Sequence, residues 1–170
     1  MDFGEAYMEI IDFALDKNGL LLVREQAELF SNASNRGFGS YYFLRKFAYS
    51  DYCRLLDTKM HINQDTFWKD NEKTLIKRGV VLPANYMHWI GYIYRYWCYV
   101  EGIELKQLIK IVPISYLAGL YNSYHSGTAE RTIMHIKDKL SKGKILGGRF
   151  RISKPKKNKK IGKAEEEKKR

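Results

Sequence analysis

Proline, cysteine and histidine are all scarce in this chain, and each scarcity excludes something. Only Pro83, Pro113 and Pro155 interrupt the 170 residues. Proline breaks helix interiors, so its rarity leaves stretches long enough for a helical protein. Cysteine occurs twice, at Cys53 and Cys98, far apart and within helical patterns. The expectation is two reduced, buried thiols in a cytoplasmic protein rather than a disulfide framework. The four histidines, His61, His88, His125 and His135, are scattered. With only two cysteines they form no paired ligand spacing, so no metal and no cofactor are expected. There is no Walker loop and no dinucleotide fingerprint, and a Cys-His nucleophile would have to be assembled from distant segments. No run approaches the roughly 18 apolar residues of a membrane span. The N-terminus, MDFGEAYMEIIDFALDK, interleaves its apolar positions with acids and does not read as a signal peptide. A cytoplasmic location without membrane contact follows as an expectation.

What the chain does have is charge, unevenly placed. The formal net charge is +11. From Ser141 to Arg170 there are 13 Lys/Arg against 3 Glu, whereas residues 1–140 hold 17 Lys/Arg against 16 Asp/Glu. The body is nearly neutral and the tail carries the charge. From about Ser153 the composition is of low complexity, which predicts a flexible lysine-rich tail over 144–170 following a helical domain over 1–143. Clustered lysines attract polyanions without reading sequence. The tail is thus either a nucleic-acid anchor, through Arg149, Arg151, Lys154, Lys156, Lys157, Lys159 and Lys160, or a solvated terminus. RNA and DNA are not distinguished.

The body reads as successive helices. Phe3, Tyr7, Ile10, Ile11 and Leu15 recur at helical spacing, with Asn18-Gly19 expected to end that element. LLLVREQAELF follows, closed by the loop SNASNRGFGS. From Tyr41 to Met60, Tyr41, Leu44, Ala48, Tyr52 and Leu55 fall on one apolar stripe. Asn63 or Asp65 is expected to cap a helix through Lys77 that Gly79 stops. VVLPA is an extended connector, and Pro83 presets a helix start. Shorter helices are predicted at 105–111 and from Ile114, with a last one capped by Thr128. ILGGRFRI (145–152) is the one place for a short strand or turn. The fold class is all-α, a single multi-helix domain.

The stretch YMHWIGYIYRYWCYV, 86–100, holds seven tyrosines and tryptophans. On a helix, Tyr86, Ile90, Ile93, Trp97 and Val100 form a buried seam with Trp89 beside them. The adjoining stripe is His88, Tyr92, Arg95 and Tyr99. Tyr and Arg dominate binding hot spots, so this stripe is a candidate partner surface. It is equally consistent with packing, in which Arg95 pairs with a body carboxylate and the tyrosines bond through their hydroxyls. Tyr124 and His125, at the helix break Tyr124-His125-Ser126-Gly127, are further candidates for partner contact.

Two resemblances bear on function. RLLDTKMH, in which Arg54 and His61 are separated by six residues, resembles the Arg-x4-6-His signature of HEPN ribonucleases, which are small helical domains. The resemblance implies a pair acting on a scissile phosphate and its 2'-hydroxyl, although Leu55 stands where that family favours a polar residue. The run WIGYIYRYWCYVEGIELKQLIKIVP followed by LAGLYNSYHS resembles small bacterial proteins of toxin–antitoxin-like and mobile-element loci. It spans roughly Val80 to Leu140, with Trp89, Gly91, Tyr94, Arg95, Trp97, Pro113, Tyr121 and His125 as its specific elements. That resemblance implies a context and no catalytic residues. The leading expectation is a non-enzymatic, antitoxin-like or regulatory binding protein that engages an unidentified protein partner. The alternatives are the ribonuclease and a mobile-element inhibitor of a host nucleic-acid-processing complex.

Overall fold

The structure is a computed structural model and describes residues 15–143. The element expected from Phe3 to Lys17 lies almost wholly outside the described residues. So do the strand or turn expected at 145–152 and all seven basic tail residues named above. Among the described residues the fold is all-α and contains no strand. The helices are α1 (Lys17–Asn35), α2 (Ser40–Ala48), α3 (Asp51–Asp57), α4 (Asp65–Asn71), α5 (Ala84–Glu101), α6 (Leu105–Ile111), α7 (Ile114–Tyr124) and α8 (Ala129–Ser141), with one 3-10 turn at Glu72–Thr74. Among the described residues no helix is long and apolar enough to cross a membrane.

Helix α5 is the axle of the fold, and its environment differs from the amphipathic expectation. Met87, Trp89 to Gly91 and Ile93 to Cys98 are all buried, so the helix is enclosed on nearly every side and not along one seam. Ile90, Ile93, Trp97 and Trp89 are core as expected, but Tyr86 is only half-buried and Val100 is exposed. Helix α1 lies along α5, and the contact depends on Gly91. A Cβ there would come 2.8 Å from the Phe30 ring and 3.0 Å from the Gln26 carbonyl oxygen. The Gln26 side-chain amide donates to the Gly91 carbonyl at 3.0 Å, fixing the register of the two helices.

An aromatic cluster forms the other half of the core. Phe30 meets Phe43 and Phe47 edge-on at 5.2 Å and 5.1 Å, and Phe67 meets Trp68 edge-on at 5.2 Å. Each buried ring contributes about 1.5–3 kcal/mol by desolvation, and edge-to-face pairing adds about 0.5–1.5 kcal/mol.

Helix boundaries depart from expectation where side chains find tertiary partners. Asn18-Gly19 does not end a helix. Asp16 caps α1 by accepting from the Gly19 amide at 2.7 Å, and Tyr99 packs where a Gly19 side chain would stand, its ring 2.6 Å from the Cβ position. The expected loop 31–40 shrinks to 36–39, since Asn32 donates to Gln64 at 2.8 Å and Ser34 to the Leu82 carbonyl at 2.6 Å. The single stripe from Tyr41 to Leu55 does not exist. Ser50 accepts from the Cys53 amide at 3.1 Å and starts a new helix, leaving Tyr41 54% exposed. Helix α4 stops at Asn71, short of Lys77, because the following residues run extended against the start of α2. There the Gly39 amide donates to the Ile76 carbonyl at 3.2 Å and the Ser40 amide to the Val80 carbonyl at 2.9 Å. The expectations met include the α5 start at Pro83, the α6 span and the Thr128 cap, whose hydroxyl accepts from the Arg131 amide at 3.2 Å.

Candidate functional site

The stripe His88, Tyr92, Arg95, Tyr99 is divided by its neighbours. Arg95 is not on a surface. Its side chain is 1% exposed and pairs with Asp57 at 2.7 Å. Its Nε donates to Gln26 Oε1 at 2.8 Å, and Nη2 reaches the Cys53 sulfur at 3.4 Å. Asp57 also accepts from the Leu105 amide at 3.3 Å, so the guanidinium ties α1, α3, α5 and α6 together. Burial opposes the charge on Arg95, but Cys98, Cys53 and Asp57 together hold its pKa above the ordinary value. This is the packing alternative, and it removes Arg95 from the partner-contact set. The two free thiols lie in the same interior, and burial pushes both Cys53 and Cys98 up to about 12.

Tyr99 is also committed internally. Its hydroxyl donates to Asp16 at 2.7 Å, its ring covers Gly19, and Lys59 stands 4.6 Å from the ring centroid. The hydrogen bond from the Gly19 amide and that from Tyr99 hold the Asp16 carboxylate below its usual range.

His88 and Tyr92 remain accessible, and the fold brings His125 to them. With Asn85, Tyr121 and Thr128 they line a hollow of about 480 Å³ between α5 and the α7–α8 turn. In its wall Tyr121 stacks on His125 at 4.1 Å with planes 6° apart, and Tyr86 backs Tyr121 at 4.0 Å. Asn85 donates to the Tyr121 hydroxyl at 3.0 Å and holds the middle ring. His125 Nδ1 lies 2.7 Å from the Tyr121 carbonyl. A carbonyl only accepts, so the proton of that bond is on Nδ1 and the neutral ring offers Nε2 as an acceptor. Tyr124 is turned to α8 instead, its ring 4.7 Å from His135. Among the described residues no carboxylate lines the hollow.

The pair expected from the ribonuclease resemblance is placed with separate partners. Arg54 is 64% exposed on α3, 3.8 Å from Asp51. His61 lies in the following loop, 3.2 Å from Glu25 of α1. Among the described residues no cluster of three or more His, Cys, Asp or Glu is arranged to hold a metal ion.

A larger groove of about 920 Å³ lies between α2, the extended connector and the α6–α7 corner. Tyr41, Tyr42, Tyr49 and Arg45 line one side, and Lys110 and Ile114 the other. The periodicity does not reveal it, because it places Tyr41 on the same apolar stripe as Leu44, Ala48, Tyr52 and Leu55. The available signal was SYYFLRKFAY itself, in which Tyr41, Arg45 and Tyr49 recur every four residues.

Comparisons of the chain with protein families, with curated proteins and with solved structures find no match.

Proposed function

We propose that this is a non-enzymatic binding protein that engages a protein partner through the hollow between α5 and the α7–α8 turn. The observation that carries this reading is the convergence of His88, Tyr92 and His125 on one accessible, ring-walled recess. Stacked tyrosine and histidine rings supply rigid contact area at little entropic cost, and pocketed aromatic surfaces of this kind dominate interface energetics. With the outward Nε2 of His125 an acceptor, the recess favours a partner loop that presents a hydroxyl or amide donor beside apolar side chains. The antitoxin-like or regulatory context, in a bacterial defence or mobile-element system, rests on the resemblance of residues 80–140 and is part of the proposal.

The test is co-expression with the product of the adjacent gene, followed by purification and mass measurement of any stoichiometric complex. His88→Ala with His125→Ala should abolish the complex and leave the helical circular dichroism spectrum unchanged, because both side chains are exposed. A complex that survives the double substitution with undiminished yield would exclude the hollow as the partner site.

A further inference from the structure

The charge of the body is close to zero in sum but not in distribution. Residues 29–50, 73–100 and 105–129 contain no Asp or Glu. Folding brings these acid-free segments together, because α2, the connector at 79–82 and the α6–α7 corner are the three walls of the large groove. Arg45 and Lys110 line it, and Arg78 sits over the Tyr42 ring at 5.5 Å. Among the described residues, every formal charge on the walls is therefore positive.

The groove also presents aromatic faces to solvent. Tyr41 is 54% exposed and Tyr49 58%. They are eight positions apart, about 12 Å along a helix axis, with Arg45 midway. The Arg45 guanidinium rests 5.9 Å from the Tyr41 ring centroid. A strand laid along α2 thus meets ring, cation, ring in order, above a floor that includes Leu44, Leu82 and Ile114. The backbone here is fixed: a Cβ at Gly39 would lie 1.9 Å from the Arg78 carbonyl oxygen, so the connector is clamped to the start of α2.

We propose that this groove binds single-stranded nucleic acid, with bases stacked on Tyr41 and Tyr49 and backbone phosphates held by Arg45, Arg78 and Lys110. Exposed rings alternating with cations are the chemistry of sequence-tolerant single-strand binding. A duplex conceals its base faces and would leave the tyrosines and the apolar floor unused. A polyglutamate chain would satisfy the cations but has no planar side chain to lay on the rings. The site is independent of the hollow that contains His88 and His125, and none of the residues substituted below lines that hollow.

The test uses the full chain, so that the lysine-rich tail contributes equally in every sample. Binding of a labelled mixed-sequence single-stranded oligonucleotide, as RNA and as DNA, is followed by fluorescence anisotropy over a range of salt, with the matching duplex and polyglutamate as competitors. Tyr41→Ala with Tyr49→Ala removes two stacking platforms and should weaken single-strand binding by about 30-fold or more, leaving the salt slope unchanged. Tyr41→Phe with Tyr49→Phe should bind as the parent does. Arg45→Ala should reduce the salt slope by about 0.7, one phosphate contact on a single strand. All these positions are exposed, so circular dichroism should be unaffected. Parental affinity and slope in every variant would assign all binding to the tail and overturn the proposal. So would displacement of the oligonucleotide by duplex or polyglutamate as efficiently as by unlabelled single strand.

Discussion

Replacing Asp57 with alanine should destabilise this protein more than most single substitutions. The change leaves Arg95 with its guanidinium in place, 1% exposed, and without its anionic partner. Arginine cannot shed its charge to escape, so the variant carries an uncompensated cation in the interior. The Gln26 and Cys53 contacts at 2.8 Å and 3.4 Å remain, but neither supplies a countercharge. Breaking a buried pair from one side costs about 3–5 kcal/mol, against a total stability of about 5–15 kcal/mol for a domain of ordinary size. For a chain of this length the melting temperature should fall by about 6–20 °C. Arg95→Met should cost less, because Asp57 is 11% exposed and keeps the Leu105 amide as donor. Combining the two substitutions should recover part of the Asp57→Ala loss, since the orphaned cation is gone. Urea and thermal melts followed by circular dichroism measure all three. A cost below about 1 kcal/mol for Asp57→Ala, the range of exposed pairs, would refute the buried clamp and return Arg95 to the list of surface residues.

Three further outcomes follow from the packing. Gly91→Ala should destabilise by about 1–3 kcal/mol, an overpacking cost, because the new methyl meets Phe30 at 2.8 Å; a neutral result in urea melts would mean that α1 and α5 are less closely apposed. Asp16 has a pKa below the ordinary 3.8, owing first to the Gly19 amide and then to Tyr99. A depressed carboxylate stabilises above its unfolded pKa and loses that contribution as pH falls through its folded value. The parent should therefore lose melting temperature below about pH 4 more steeply than Asp16→Asn, and parallel curves would remove the cap from the account. Cys53 and Cys98 are buried with thiols raised to about 12, so thiol-specific dye should label neither at pH 8 in native protein and both after urea. Rapid native labelling would contradict the packing of α3 and α5.

The helical class could be read from the sequence because its signals are local. Scarce proline, apolar spacing and the Thr128 hydroxyl act within a turn or two of where they stand. Boundaries were less legible wherever a distant residue decides them. Asn18-Gly19 has the composition of a helix end, yet Asp16 caps a helix that passes through it, and Tyr99 from α5 occupies the space a Gly19 side chain would need. The polar run 31–35 stays helical because Gln64 and the Leu82 carbonyl take up Asn32 and Ser34. No window of neighbouring residues contains those partners.

The candidate sites show the same division between pattern and placement. Tyrosine interleaved with arginine at helical spacing occurs twice, as Tyr92-Arg95-Tyr99 on α5 and as Tyr41-Arg45-Tyr49 along α2 and its C-cap. The pattern is equally good in both, so it cannot decide which arginine faces solvent. What decides is the number of elements around each helix. Helix α5 is enclosed by α1, α6, α7 and α8, and Asp57 of α3 waits for Arg95 at 2.7 Å. Helix α2 buries Phe43, Leu44 and Phe47 on one side and leaves the tyrosines on the other. The local acid count does carry a usable signal. An arginine with no carboxylate from 29 to 50 around it has no sequence neighbour to pair with, and among the described residues the fold supplies none in the groove beside α2 either. Charge summed over the body conceals this segregation; charge traced segment by segment exposes it, and the acid-free segments are the ones that fold into a single groove.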